Sequence, residues 1–255
     1  MNSQITPNPW QSLRQYTPAR IAQGRAGHSL PTSELLKFQE DHALARDAVY
    51  SVLAKENLEK NLQNIDFLEI IIVESQAKDR QEYLKRPDFG RKLSLFSHQK
   101  LQSFSTKCYD LAIVIADGLS ATAVNRHVVP LLTLLIPALA KEGWSLAPIS
   151  LVMQGRVAIA DEIGELLQAE NVVILLGERP GLSSPDSLGA YLTHAPKVGL
   201  TDESRNCVSN IHPEGLDYQA AARKILYLLT EMKSRKISGV NLKDNLLSEE
   251  LEIER

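Results

Sequence analysis

Asp110-Leu111-Ala112-Ile113-Val114-Ile115-Ala116 runs without a polar interruption after its first residue and then breaks at Asp117-Gly118. A strand with one wet face alternates apolar and polar side chains, whereas a strand covered on both faces does not. The run therefore predicts a strand buried on both sides, with a loop at its carboxyl end. The pattern recurs outward from it. Phe67-Leu68-Glu69-Ile70-Ile71-Ile72-Val73 precedes it, and Ala147 to Met153 and Val172 to Leu176 follow it.

Helical segments fill the intervals. A polar one lies around Asp79–Leu84, a second runs from about Arg91 to Phe104, and another covers Asp161 to Ala169. The long helix capped by Ser120 carries Pro130 and Pro137, each lacking an N–H donor, and is expected to be kinked or split there. From about Asp217 to Lys236, Tyr218, Ala221, Ala222, Ile225, Leu229 and Met232 form one apolar stripe. Short apolar strands alternating with helices predict an α/β fold, doubly wound around a mainly parallel sheet.

Three segments are expected. Residues 1–62 form an N-terminal arm and helix, 63–240 the sheet domain, and 241–255 an acidic tail. The arm contains Arg14, Arg20 and Arg25 but no acid, and Pro7, Pro9, Pro18 and Pro31 break any long amphipathic helix in it. It reads as an arm laid on a partner protein. The helix after Pro31 takes Thr32 or Ser33 as N-cap and places Leu35, Phe38, His42, Ala45, Val49 and Val52 on one face, which docks the arm.

Composition narrows the functional classes. The 255 residues carry a formal charge of −3 and 44% hydrophobic content, enough for a sizeable core and without the basic field that nucleic acid binding calls for. Cys108 and Cys207 lie far apart, so neither a disulfide framework nor a zinc site is read, and a reducing cytoplasm fits. The apolar run Val128 to Ala140 is too short to span a bilayer.

In an open parallel sheet, ligands sit beyond the carboxyl ends of the strands. Three such ends place a small residue beside polar ones: Ala116-Asp117-Gly118-Leu119-Ser120, Met153-Gln154-Gly155-Arg156-Val157 and Leu176-Gly177-Glu178-Arg179-Pro180-Gly181. Together they read as a binding rim. Neither GxGxxG after a strand, nor GxxxxGK[ST], nor GxSxG occurs. The six histidines are scattered and read as surface or packing residues. Cys207 would be a nucleophile only beside a histidine. Glu178, next to Arg179, reads as half of an ion pair or as a ligand-facing hydrogen-bonding group. No catalytic constellation emerges.

Seven blocks in order give a resemblance. They are Leu13–Gly27 with Asp41–Val49, Tyr83–Arg91 (YLKRPDFGR), Ala116–Ala121 (ADGLSA), Asp161–Glu165 (DEIGE), Gly177–Leu182 (GERPGL) and Arg205–Ile211 (RNCVSNI). In this respect the chain resembles the small (light) subunit of ethanolamine ammonia-lyase over roughly residues 13–235. The resemblance implies a Rossmann-like domain that binds adenosylcobalamin and clamps it against a TIM-barrel large subunit in a hetero-oligomer. It also implies a radical lyase converting ethanolamine to acetaldehyde and ammonia, cytoplasmic or housed in a bacterial microcompartment. By the same resemblance Val157, Glu178 and Cys207 are the cobalamin contacts. The chain has no DxHxxG motif, so the base-on form of the cofactor is expected. Two other classes stay open on the residues alone: a self-contained α/β enzyme or binding module for a nucleotide-like ligand, and a structural partner that binds no cofactor.

Overall fold

A computed structural model describes residues 5–65, 69–105 and 107–246. In chain order the elements are β1 (Ile5–Thr6), β2 (Arg25–Ala26), α1 (Thr32–Tyr50), α2 (Lys55–Gln63), β3 (Ile70–Glu74), α3 (Arg80–Lys85), α4 (Leu95–Gln102) and β4 (Tyr109–Ala116). There follow α5 (Ala121–Lys141), β5 (Ile149–Met153), α6 (Ile159–Leu166), β6 (Ala169–Gly177), β7 (Leu188–His194), β8 (Asn206–Ile211) and α7 (Tyr218–Arg235). Of the first expected strand, Phe67 and Leu68 lie outside the described residues, as does the tail beyond Leu246.

β1 and β2 pair with each other, and the six remaining strands form one sheet in the order β3-β5-β4-β6-β7-β8. The first four are parallel, in registers such as Ile72↔Leu151 and Ile113↔Val173. The chain steps from β3 past β5 to β4, returns to β5, and then steps past β4 to β6. Right-handed crossovers taken in opposite directions put their helices on opposite faces. Accordingly α5 covers one face together with α2 and α7, while α4 and α6 cover the other. β4 shows why its sequence does not alternate: Leu111, Ile113 and Ile115 pack toward α5, and Ala112, Val114 and Ala116 toward α6.

The structure corrects the sequence reading at several points. The mainly parallel sheet is mixed at one edge, where β7 runs antiparallel to both of its neighbours, β6 and β8. β8 is an edge strand with Cys207, Ser209 and Asn210 exposed and only Val208 and Ile211 buried, too polar a run to announce itself. α2 was also not anticipated. α5 runs unbroken through both prolines. Pro130 and Pro137 leave the carbonyls of Arg126 and Thr133 without a helical donor, and both of those residues are exposed, on the side of the helix where solvent can replace the lost bonds. By length and composition α5 could cross a membrane, but Val124, Val128, Leu131, Leu135 and Leu139 are buried against the sheet and α7.

α1 departs furthest from expectation. Pro31 occupies its N-cap without a side-chain cap, so neither Thr32 nor Ser33 serves. Leu35 and Phe38 of the expected docking face are 43% and 39% exposed. The preceding residues dock on α1 through charge instead. Arg14 makes two hydrogen bonds to buried Glu34 at 3.0 and 3.2 Å, and Arg20 pairs with Asp41 while lying over the Phe38 ring.

Candidate functional site

β4 leads to α5 on one face and β5 leads to α6 on the other, so their loops part and leave a crevice at the carboxyl edge of the sheet. Backbone contacts fix its floor. Leu119 N donates to the Gly177 carbonyl at 2.8 Å. A Cβ on Gly177 would stand 2.0 Å from the Ser120 carbonyl oxygen, and one on Gly118, whose φ is +57°, would stand 2.3 Å from the Gly177 carbonyl oxygen. Only glycine permits that approach. Gly181 differs, since its Cβ would meet nothing nearer than 3.5 Å; of the two glycines in this loop, only Gly177 is needed for a close approach.

Asp117 joins two of the loops. Its carboxylate accepts from the backbone N–H groups of Gln154 and Gly155, both at 3.0 Å. Burial pushes this carboxyl up to about 6, against the pull of Arg80. Arg80 donates to the carbonyls of Val49 (2.6 Å) and Gly118 (2.8 Å), tying the end of α1 to the crevice. Tyr83 lies between Arg80 and Arg156, whose guanidinium carbons are 4.7 and 4.5 Å from its ring centre, and its hydroxyl donates to the Gly155 carbonyl at 3.2 Å.

A cavity of about 490 Å³ opens above this floor, lined among others by Leu119, Arg156, Val157, Glu178, Arg179 and Tyr191. Val157 and Glu178 therefore come together. Cys207 is one strand further on, opposite Tyr191 in the β7–β8 pair. Glu178 crosses β7 over Gly189, where a Cβ would lie 3.1 Å from its Oε1, and its Oε2 accepts from Asn210 N at 3.1 Å. No ion pair joins Glu178 to Arg179 among the described residues; it is a hydrogen-bonding group.

Cys207 is not activated. Burial pushes its thiol up, the opposite of what a nucleophile needs. Arg205, which would have drawn it down, points to the other face and makes two hydrogen bonds to Asp161 at 2.6 and 2.8 Å. Four of the six histidines are held by structural partners: His98 by Glu162, His127 by Tyr218, His194 by Asn171 and His212 by Ser184 and Asn210. Among the described residues no group of three His, Cys, Asp or Glu side chains is placed to hold a metal.

Several recognisable blocks prove to be scaffold for this crevice. In DEIGE, Asp161 pairs with Arg205, Glu162 accepts from Leu93 N and faces His98, and Glu165 accepts from Val198 N. A Cβ on Gly164 would lie 2.5 Å from Pro196. In the RPDFGR segment, Arg86 pairs with Asp88, and Gly90 accepts from Arg156 N at 2.8 Å while leaving room for the Tyr83 ring. Arg80, Tyr83 and Tyr191 were missed as site residues. Tyr83 stands inside a recognisable block, but nothing in the sequence says that α3 folds back against β5.

Comparison with known proteins gives a consistent result. The family described as ethanolamine ammonia-lyase light chain (EutC) matches residues 7–243. A protein of Azotobacter vinelandii named ethanolamine ammonia-lyase small subunit is 58% identical over 245 residues, covering 95% of this chain and 90% of the relative. Proteins with the same name from Ralstonia nicotianae (55% over 243 residues, 94% and 90% covered) and Pseudomonas syringae pv. tomato (56% over 240 residues, 93% and 83% covered) are similar to it as well.

Proposed function

This chain belongs to the ethanolamine ammonia-lyase light-chain family and is a small subunit of that lyase, and on this premise we propose that its sheet edge holds adenosylcobalamin against a large subunit. The reading makes residues 63–240 a Rossmann-like cofactor domain and residues 1–62 an arm for subunit contact. Its place is the cytoplasm, within a microcompartment where one is made. The observation that supports it best is that Val157 and Glu178 line one cavity at the carboxyl ends of parallel strands, with Cys207 next to that cavity across Tyr191.

The residues present fit the group. A corrinoid bears a ring of amide side chains, which call for backbone groups and a few fixed polar partners in a partly apolar cleft. Gly177 lets backbone approach closely, and Glu178 is fixed through Oε2 by β8 so that Oε1 is available to an amide N–H. Val157 offers an apolar contact. A corrinoid is far larger than a 490 Å³ cavity, so this crevice would take one part of it and the large subunit the remainder.

When bound, adenosylcobalamin supplies the radical that initiates conversion of ethanolamine to acetaldehyde and ammonia. The chain's own residues bind and orient. Glu178 and Val157 would set the position of the corrin, Asp117 and the Gly118–Gly177 contact keep the crevice rigid, and Tyr191 and Cys207, whose hydroxyl and thiol are pushed up by desolvation, add uncharged polar surface. No acid–base pair is asked of this subunit. The cofactor is read as base-on, because the chain offers no DxHxxG histidine to replace the benzimidazole.

Co-expression with a large subunit tests this. Cobalamin-dependent ammonia release from ethanolamine is expected from the complex, and its absence with both subunits and cofactor present would overturn the reading. Within the complex, Glu178→Ala is expected to weaken cobalamin affinity while leaving the KM for ethanolamine nearly unchanged.

A further inference from the structure

Resting on the cobalamin reading, we propose that Arg156, Arg179 and Arg91 form an anion-binding end of the cavity that takes the phosphodiester of the cofactor's nucleotide loop. Seven arginines pair with carboxylates: Arg14 with Glu34, Arg20 with Asp41, Arg80 with Asp117, Arg86 with Asp88, Arg126 with Asp186, Arg205 with Asp161 and Arg235 with Glu231. The three that line the 490 Å³ cavity are not matched to any carboxylate among the described residues.

Arg156 is held ready. Its Nη2 donates to the Tyr83 carbonyl at 3.1 Å, its plane lies over the Tyr83 ring, and its Nε is buried with no hydrogen-bond partner. A half-buried guanidinium left without a counter-charge costs stability, and an anionic ligand removes that cost. Arg179 is exposed and projects from the same loop as Glu178. Neither carboxylate at the cavity forms an ion pair with these arginines among the described residues: Glu178 Oε2 accepts from Asn210 N, and Asp202 is exposed with its Oδ1 turned to Arg205 Nε at 3.6 Å.

Guanidinium forks match phosphate oxygens in geometry and charge. The amide periphery of a corrinoid needs no cation, whereas its nucleotide loop carries one phosphodiester anion. The cluster therefore selects complete cobalamins over corrinoids truncated before the phosphate, and it holds in place the loop that keeps the benzimidazole within reach of cobalt.

The test uses the complex with its large subunit and equilibrium dialysis against cyanocobalamin and dicyanocobinamide, which lacks the nucleotide loop. Loss of a charge-assisted contact in Arg156→Gln or Arg179→Gln is expected to weaken cyanocobalamin binding about tenfold to a hundredfold, with cobinamide affinity unchanged. Arg179 makes no hydrogen bond among the described residues, so its variant keeps the test valid if Arg156→Gln fails to fold. Equal weakening for both corrinoids, or none for either in Arg179→Gln, overturns the proposal. So does dissociation of the subunits on gel filtration, which would assign these arginines to carboxylates of the large subunit. A wild-type complex that binds neither corrinoid instead refutes the cobalamin reading itself.

Discussion

Removing the guanidinium of Arg205 tests the scaffold behind the crevice. Its side chain and that of Asp161 are 2% and 3% exposed. It donates twice to Asp161 and once to the Leu200 carbonyl at 3.1 Å, with Thr193 Oγ1 at 3.4 Å. Arg205→Leu keeps apolar bulk but leaves a buried carboxylate without its cation, a change that typically costs about 3–5 kcal/mol. For a chain of this size that is a melting temperature lower by roughly 6–20 °C. Burial already pushes the Asp161 carboxyl up while Arg205 pulls it down; without Arg205 only the upward push remains. A carboxyl held above its unfolded value of about 4 weakens the fold only where it must ionise, so the deficit is largest at neutral pH and shrinks on acidification toward that value. Urea unfolding of wild type, Arg205→Leu, Asp161→Leu and the double variant at pH 7 and pH 5 supplies the numbers. The double variant is expected to be more stable than Arg205→Leu alone. Additive losses, or a single loss below about 1 kcal/mol, would show that the pair does not hold β8 to α6 and would refute the reasoning.

Asp117 gives a pH dependence of its own. With the folded carboxyl at about 6, its stabilising contribution is full below the unfolded value of about 4 and is lost as pH rises through about 6, up to about 3 kcal/mol. Asp117→Asn is expected to flatten that slope in denaturant titrations across pH 4–7, and to lose about 1–3 kcal/mol at pH 7 because its amide turns a donor toward one of two backbone N–H groups. Gly177→Ala, with its Cβ 2.0 Å from a backbone oxygen, is expected to cost about 3 kcal/mol or more, against little for Gly181→Ala, by thermal unfolding. Glu178→Gln keeps an acceptor toward Asn210 N, so it is expected to lose less cobalamin affinity in dialysis than Glu178→Ala.

The parallel half of the fold was legible because both faces of β4 and β6 are covered, which writes unbroken apolar runs into the sequence. α7 was legible for the complementary reason, one buried stripe on an amphipathic helix. β8 was not, since an edge strand with one wet face carries only Val208 and Ile211 as buried anchors. The apolar residues of α1 misled because ion pairs to Glu34 and Asp41, on either side of Phe38, hold the preceding residues in place while Leu35 and Phe38 stay exposed. Of the candidate site, Val157 and Glu178 were reachable as strand-end residues, and their meeting in one cavity needed the sheet order.

By itself the sequence determined the alternation of strands and helices, the positions of three strand ends and the family, since these depend on local pattern and on blocks of residues in order. Only the tertiary structure decided which loops meet. That choice follows from the β3-β5-β4-β6 order, from the glycine contact between residues 118 and 177, and from the buried Asp161–Arg205 pair. The difference is physical. Burial periodicity is a property of each segment alone, whereas a cavity lined by residues 91, 156, 178 and 191 exists only once crossovers have brought distant segments to one edge.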